Sequence, residues 1–174
     1  MHFLNFSNYN KGKNMPNWRA HNKINFVMYF ICLAIILIFF HRLEKIISPA
    51  LNILLLIFTA SYIFSNYFLS PDLDLKKNEC KKNWGIFGFI WVPYTSVFKH
   101  RGISHSIIFG PLTRIIYLLL IILLPLIVLK KIGILNIDIS INLDSFGWKV
   151  LITVIIGIYL PCLFHTLADR IFHG

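Results

Sequence analysis

The chain has 174 residues, 57% of them hydrophobic, and its mean hydropathy is +0.70. Water-soluble domains contain about 45–50% apolar residues, so this composition excludes an ordinary soluble globular protein. The formal net charge of +10 raises the possibility of nucleic-acid binding. No recognition helix or aromatic stacking motif accompanies the basic residues, so the sequence predicts no nucleic-acid partner.

The first fourteen residues are polar, rich in Asn and without periodicity, and we expect this N-terminal extension to be disordered. They have no apolar core, and no small-residue cleavage site follows the first apolar run, so we predict no cleaved secretory signal. The organised part is expected to be one domain over residues 15–174.

Four apolar runs follow, at residues 24–40, 46–69, 107–129 and 149–167. A bilayer core about 30 Å thick requires about 20 apolar residues at a rise of about 1.5 Å per residue. The last three runs satisfy this length and the first nearly does. The sequence therefore predicts an all-α membrane protein with a bundle of about four transmembrane helices.

The connections between these runs differ in character. The stretch "RLEKIISP" predicts a tight outer turn. Residues 75–98 are cationic in their first half and rich in Trp, Phe and Tyr in their second half, which predicts an interfacial segment between helices two and three. Residues 134–143 alternate apolar and polar side chains as a strand does, although no partner strand is evident.

Most basic residues lie before the first apolar run or between the second and third runs. Because cytoplasmic loops are enriched in Lys and Arg, we predict a cell (inner) membrane protein with both termini in the cytoplasm. Lys130 and Lys131 weigh against this orientation. The lipid bilayer is the expected partner, and the positive charge would attract anionic lipid head groups.

An up-down-up-down arrangement of four helices brings seven metal-competent side chains to the predicted cytoplasmic face. These residues are His21, Asp72, Asp74, His100, His105, His165 and Asp169. His165 and Asp169 share a helix face at a spacing of four, and we expect Asp72 and Asp74 to straddle the site from an extended segment. The three cysteines form no close pairs, so neither a disulfide framework nor a thiolate zinc site is predicted.

Imidazole and carboxylate ligands together suit Zn²⁺, Mn²⁺ or Fe²⁺ better than Ca²⁺ or Mg²⁺. A site with an open coordination position lowers the pKa of water to about 7 and so supports hydrolysis. Taken singly, each residue has a structural explanation as a helix cap, a solvated turn or a head-group contact. The joint pattern favours function, because ionisable residues near membrane helices are costly.

Five segments carry a family resemblance: "MPNWRAHNKIN", "LSPDLDL", "WGIFGFIWVPY", "KHRGISHSIIFGPLTRIIYL" and "HTLAD". In this order and spacing they resemble a family of small multi-pass metal-binding membrane proteins, related to the membrane-bound metal-dependent hydrolases. The resemblance covers about residues 15–170 and implies that the seven residues above are the metal-binding candidates. It also implies that Arg101, Ser104, Arg114 and Tyr117 belong to the site or support it.

As a hydrolase, the chain would hold one ion through His21, Asp74, His105 and His165, or two ions with Asp72 and His100 added. The expected ions are Zn²⁺ or Mn²⁺. The candidate catalytic residues are Asp169, which would orient His165 or accept a proton, Arg101, which would neutralise phosphoryl charge, and Ser104. A membrane-associated phosphoester is the expected substrate. A non-catalytic metal-stabilised scaffold is the alternative, while few polar residues within the helices argue against a transporter.

Overall fold

The computed structural model describes residues 18–47, 50–75, 78–98, 103, 106–136 and 144–173. The helices in these ranges are α1 (Trp18–Ile38), α2 (Phe40–Ile47), α3 (Leu51–Phe68), a 3₁₀ helix (Pro71–Asp74), α4 (Glu79–Asn83), a second 3₁₀ helix (Gly85–Trp91), α5 (Val92–Val97), α6 (Phe109–Lys131) and α7 (Ser145–His173). The described ranges contain no strand, which confirms the all-α prediction.

Four helical segments in the described part of the chain are long and apolar enough to cross a membrane. They are Trp18–Ile38, Leu51–Asp74, Phe109–Lys131 and Ser145–Ile171, with mean hydropathies of 1.7, 1.6, 2.7 and 2.2. The side chains of α6 are the most exposed: Leu120 and Leu124 are 58% and 62% exposed. Such a surface is suited to lipid rather than to water. The orientation of the bundle stays a prediction.

Several local predictions differ from the structure. The predicted turn at "RLEKIISP" was wrong, because most of it lies in the short helix α2. Helices α1 and α7 extend well beyond their predicted apolar runs, since their polar ends are helical too. The predicted interfacial segment comprises α4, the second 3₁₀ helix and α5. Of the strand-like stretch, residues 134–136 are neither helix nor strand, and residues 137–143 lie outside the described residues, as do residues 1–14.

Helices α3 and α7 form the closest pair in the bundle, and Gly157 permits their approach. A Cβ atom at Gly157 would lie 2.7 Å from Cβ of Ser61 and 3.0 Å from the carbonyl oxygen of Phe58. One turn away, Oγ of Ser65 donates a hydrogen bond to the carbonyl oxygen of Ile158 at 2.6 Å. Small residues that bring helix backbones together in this way are typical of packing in membranes.

Replacing Gly157 with Ala should therefore destabilise the bundle by about 1–3 kcal/mol, because the backbone atoms that it meets cannot move aside cheaply. Thermal unfolding in detergent, followed by circular dichroism, measures the effect. An Ile152→Leu change on the exposed side of α7 serves as the control and should leave the unfolding temperature unchanged. Equal stability of the Gly157→Ala variant and the parent would contradict the close approach.

Arg114 connects the beginning of α6 to the end of α3. Its side chain is 1% exposed. Nε donates to the carbonyl oxygen of Gly110 at 2.9 Å, and one Nη donates to the carbonyl oxygen of Leu69 at 2.8 Å. Sγ of Cys162 on α7 also donates to the Leu69 carbonyl, at 3.4 Å. One backbone oxygen after α3 thus joins three of the long helices at one end of the bundle.

An aromatic cluster fixes the segment between α3 and α6. Its fully buried members are Leu69, Leu73, Cys80, Trp91 and Tyr94. The Tyr94 hydroxyl shares a hydrogen bond of 3.0 Å with that of Thr113 on α6, and the Tyr117 hydroxyl donates to the carbonyl oxygen of Ile90. Tyr117 therefore supports this segment, which in turn holds the Pro71–Asp74 3₁₀ helix in place.

Candidate metal centre

Three side chains, one from α1 and two from α7, meet at the end of the bundle that contains Leu69. His21 is the fourth residue of α1, and His165 and Asp169 are one turn apart on α7. One potential ligand atom from each lies within 4.8 Å of the others. Nε2 of His21 is 3.2 Å from Oδ1 of Asp169, and Nε2 of His165 is 3.6 Å from Oδ2 of Asp169. These three residues are the candidate metal-ligand group.

The two imidazoles are buried and packed face to face. His21 and His165 are 5% and 3% exposed, and their ring centroids are 3.9 Å apart at an angle of 16°. The i, i+4 spacing on α7 places Asp169 on the same face as His165, as predicted from the sequence. The structure adds that Asp169 contacts both imidazoles, so it is as well placed for binding a metal as for orienting His165.

Asp72 reaches the same group from the Pro71–Asp74 3₁₀ helix. Its Oδ2 lies 3.6 Å from Nε2 of His165. Oγ of Ser70 accepts a hydrogen bond from the Asp72 backbone N–H at 3.4 Å, and Nδ2 of Asn78 donates to the Asp72 carbonyl at 2.5 Å. The serine cap and Pro71 thus start a turn of helix, which corrects the predicted extended segment.

This 3₁₀ geometry separates the two carboxylates of the "SPDLD" motif. With about three residues per turn, side chains two positions apart point in directions that differ by about 120° around the axis. Asp74 is 4% exposed and does not line the cavity described below. Burial lowers the pKa of Lys81, and the charge of the Asp74 carboxylate partly offsets that effect. The structure therefore brings Asp72 to the two imidazoles, and the assignment of Asp74 as a ligand stays a prediction.

The remaining predicted site residues are His100, Arg101, Ser104 and His105. They lie outside the described residues, and their roles as metal ligands or catalytic groups stay predictions.

The metal-ligand group fits a divalent transition-metal ion. It offers two imidazole nitrogens and carboxylate oxygen, the donor set that Zn²⁺, Mn²⁺ and Fe²⁺ accept. Nδ1 of His21 is buried and has no hydrogen-bond partner among the described residues. A buried polar atom without a partner is costly, and a water on the Nδ1 side of the ring would satisfy it. Nε2 is the His21 atom that faces Asp169, so the fit of an ion rests on the donor set.

A cavity of about 250 Å³ adjoins this group, and His21, Asp72 and His165 form part of its wall. Amide and carboxylate side chains from α1, α3 and α4 contribute much of the remaining wall: Asn22, Asn66, Asn78, Glu79 and Asn83. Trp18 stands at the edge, 44% exposed. The group therefore faces a space large enough for water and a small polar ligand.

Cys80 also lines this cavity but is not poised to bind a metal. Burial raises the pKa of its thiol to about 12, and Sγ donates a hydrogen bond to the carbonyl oxygen of Tyr67 at 3.2 Å. Because the thiolate is the metal-binding form, Cys80 acts here as a neutral donor that ties α4 to the end of α3.

A polar layer one turn deeper in the bundle was not predicted from the sequence. Nδ2 of Asn25 on α1 donates to Oδ1 of Asn66 on α3 at 2.6 Å, and the Tyr62 hydroxyl donates to the carbonyl oxygen of Asn25 at 2.8 Å. The i, i+4 spacing of His21 and Asn25 inside an apolar helix was the available signal. This layer holds α1 against α3 and so sets the position of His21 along the bundle axis.

Comparison with known proteins agrees with a metal site. The family described as "Uncharacterized metal-binding protein (DUF2227)" matches residues 16–173. A protein of Aquifex aeolicus (strain VF5), described as "Uncharacterized protein", is 38% identical over 61 residues, which is 35% of this chain and 43% of that protein. The chain thus covers less than half the length of that relative. No solved structure matches. Since the family match extends over almost the whole chain, the protein belongs to the DUF2227 family of metal-binding proteins.

Proposed function

We propose that this protein is an integral membrane, metal-dependent hydrolase that acts on a membrane-associated phosphoester. The observation that carries the proposal is the cavity of about 250 Å³ beside His21, Asp72 and His165. A structural metal site is closed by four protein ligands, whereas a catalytic site keeps one face open to water and substrate. Here His21, Asp72 and His165 line an open space, whereas Asp169 is not part of its wall.

His21, His165 and Asp169 would hold one divalent ion, Zn²⁺ or Mn²⁺, with Asp72 beside them. A second ion, if bound, would take Asp74, His100 and His105. The bound ion would act as a Lewis acid that polarises a phosphoryl oxygen and lowers the pKa of water. The resemblance to membrane-bound metal-dependent hydrolases supports this chemistry. That the metal-binding family of this chain is related to those hydrolases is part of the proposal.

The chain's own residues would supply orientation and proton transfer. Asp169 contacts both imidazoles, at 3.2 Å and 3.6 Å, so it would hold their rings in place. Its predicted role as a proton acceptor is an alternative to its role as a ligand. The amide group of Asn22 lines the cavity and would offer hydrogen-bond donors for substrate oxygens, as would the N–H of Asn83 that does not bond to the Tyr67 carbonyl. The Asn78 amide donates to the carbonyl oxygens of Asp72 and Leu75 and serves to fix the 3₁₀ turn. Arg101 would neutralise charge on the phosphoryl group, with Ser104 beside it.

The substrate class follows from the position of the cavity. It lies where the polar ends of two spanning segments, Trp18–Ile38 and Leu51–Asp74, meet α4. In a membrane this level is the head-group region, so a lipid phosphate would reach the metal-ligand group without leaving the bilayer. We place this face in the cytoplasm, as the distribution of basic residues predicts.

A metal-stabilised scaffold is the second candidate, and the stacked rings favour it. His21 and His165 join α1 to α7 at a centroid distance of 3.9 Å. An ion shared by these helices would hold the bundle closed without any turnover, serving assembly or partner binding.

Phosphate release distinguishes the hydrolase from the metal-stabilised scaffold. Protein purified in detergent is loaded with Zn²⁺, Mn²⁺ or Mg²⁺, and phosphate release is followed from phosphatidic acid and from p-nitrophenyl phosphate. We expect release with Zn²⁺ or Mn²⁺, and a loss of about 10²-fold or more in an Asp169→Asn variant. The matched control is Asp144→Asn, which changes an exposed carboxylate at the start of α7. Bound metal without release from either substrate would support the scaffold.

A further inference from the structure

A second cavity lies in the half of the bundle farther from the metal-ligand group. Its volume is about 370 Å³, within the range of about 300–1,000 Å³ that is typical of ligand pockets. Helices α1, α2, α3 and α7 all contribute to its wall. Cys32, which lines it, is about 16 Å from His21 along the axis of α1 at about 1.5 Å per residue. The two cavities are therefore separate.

The wall of this second cavity is suited to hydrocarbon. Among its lining residues, only Cys32 and Thr153 have a sulfur or oxygen atom in the side chain. The Thr153 hydroxyl donates to the carbonyl oxygen of Lys149 at 2.7 Å, so its proton is not directed at a ligand. A polar ligand would be poorly satisfied here, whereas an alkyl chain would lose no hydrogen bond on entering.

The cavity opens sideways, onto the surface that a bilayer would cover. Ile35 on α1 and Ile156 on α7 line it and are 51% and 46% exposed. The opening therefore lies between these two helices on the lateral surface of the bundle. A lipid chain can enter there directly from the hydrocarbon region.

Positive charge stands at the outer end of the cavity. Leu43 of α2 forms part of the wall, and its neighbours Arg42 and Lys45 are exposed. Lys149 lies one turn before Thr153 at the start of α7. Glu44, the acidic residue of α2, lies 3.7 Å from His41. Arg42 and Lys45 do not themselves line the cavity, because they lie about 100° and 160° around α2 from Leu43. They give the surface beside this end of the cavity an excess of cations, at the level where a lipid phosphate would lie.

We propose that this cavity binds one acyl chain of an anionic phospholipid, whose phosphate pairs with Arg42 and Lys45. The apolar wall takes the chain, the lateral opening admits it, and the cations select the head group. Each Lys or Arg near a membrane surface strengthens the binding of an anionic lipid about fivefold. Two such effects would multiply to about 25-fold, and the nearby Glu44 carboxylate offsets part of this. We therefore expect an anionic lipid to be favoured over a zwitterionic one by roughly tenfold. This site is independent of the proposed hydrolase function.

Native mass spectrometry of the detergent-purified protein tests the proposal, with dioleoyl phosphatidylglycerol and dioleoyl phosphatidylcholine as probes. The parent protein should retain the phosphatidylglycerol roughly tenfold more strongly. An Arg42→Gln/Lys45→Gln variant should bind both lipids equally. The matched control is Lys130→Gln/Lys131→Gln, which removes the same charge from the end of α6, a helix that does not line the cavity. It should keep the preference.

A second variant tests the cavity itself. Ile156→Trp fills it and should reduce retention of both lipids, while helicity by circular dichroism shows whether the variant folds. If it does not fold, Leu55→Phe replaces it. Equal retention of the two lipids by the parent, equal loss of preference in both double variants, or undiminished binding after filling would each overturn the proposal. A dimer that forms in place of the lipid complex would also overturn it.

Discussion

A His165→Ala variant should lose its bound divalent metal. The substitution removes an imidazole nitrogen and the stacked partner of His21, and it leaves Asp72 and Asp169 without the group that lies 3.6 Å from each. Loss of a residue that merely orients a ligand lowers metal affinity by about 10–100-fold, so loss of a ligand should lower it by more than about 100-fold. Plasma mass spectrometry of dialysed protein measures the metal content, and isothermal titration calorimetry measures the affinity.

The same substitution elsewhere provides the control. His41 on α2 is exposed, with 95% of its side chain accessible, and lies at the other end of α1 from His21. His41→Ala should therefore keep the metal content of the parent protein. His21→Ala should behave like His165→Ala. Unchanged metal content in the His21→Ala and His165→Ala variants would show that the metal binds elsewhere in the chain.

Replacing Arg114 with Met should destabilise the protein by about 3 kcal/mol or more. The side chain is buried and donates charged hydrogen bonds to the carbonyl oxygens of Gly110 and Leu69. Hydrogen bonds from charged groups contribute about 1.5–3 kcal/mol each, and the buried Leu69 carbonyl would lose its strongest donor. Chemical unfolding in mixed detergent micelles, followed by circular dichroism, gives the change in free energy.

Arg114→Lys separates geometry from charge. Lysine keeps the positive charge but has a single ammonium group, so it cannot reproduce the fixed fork of guanidinium donors. It should recover less than half of the lost stability. Lys131→Met, at the exposed end of the same helix, should be nearly neutral. If Arg114→Met matched the parent protein, the junction at Leu69 would not contribute to holding α6 in the bundle.

The four long apolar helices were predictable because crossing a bilayer imposes a single requirement, a long apolar run. Their ends were not, because a helix in a bundle continues into polar sequence wherever its neighbours bury the polar groups. His21 and Asn25 illustrate this: both lie before or at the start of the predicted run, and both are buried in α1 by contacts with α7 and α3. Hydropathy alone does not predict those contacts.

The candidate site was predictable only as far as helix alternation determines it. Alternation predicts that His21, Asp72, His165 and Asp169 share one end of the bundle, and the structure brings them together. It does not determine which way each side chain points. The separation of Asp72 from Asp74 depends on a 3₁₀ turn, and the contact of Asp169 with His21 depends on the height of α1. Both are products of tertiary packing that a linear pattern does not contain.

The metal-ligand group draws on the first turns of α1 and the last turns of α7, almost the full described length of the polypeptide. During synthesis, His21 is translated long before its partners. A ribosome-bound intermediate lacking α7 would have neither His165 nor Asp169. A metal ion held by all three of these residues could therefore bind only after α7 has been synthesised.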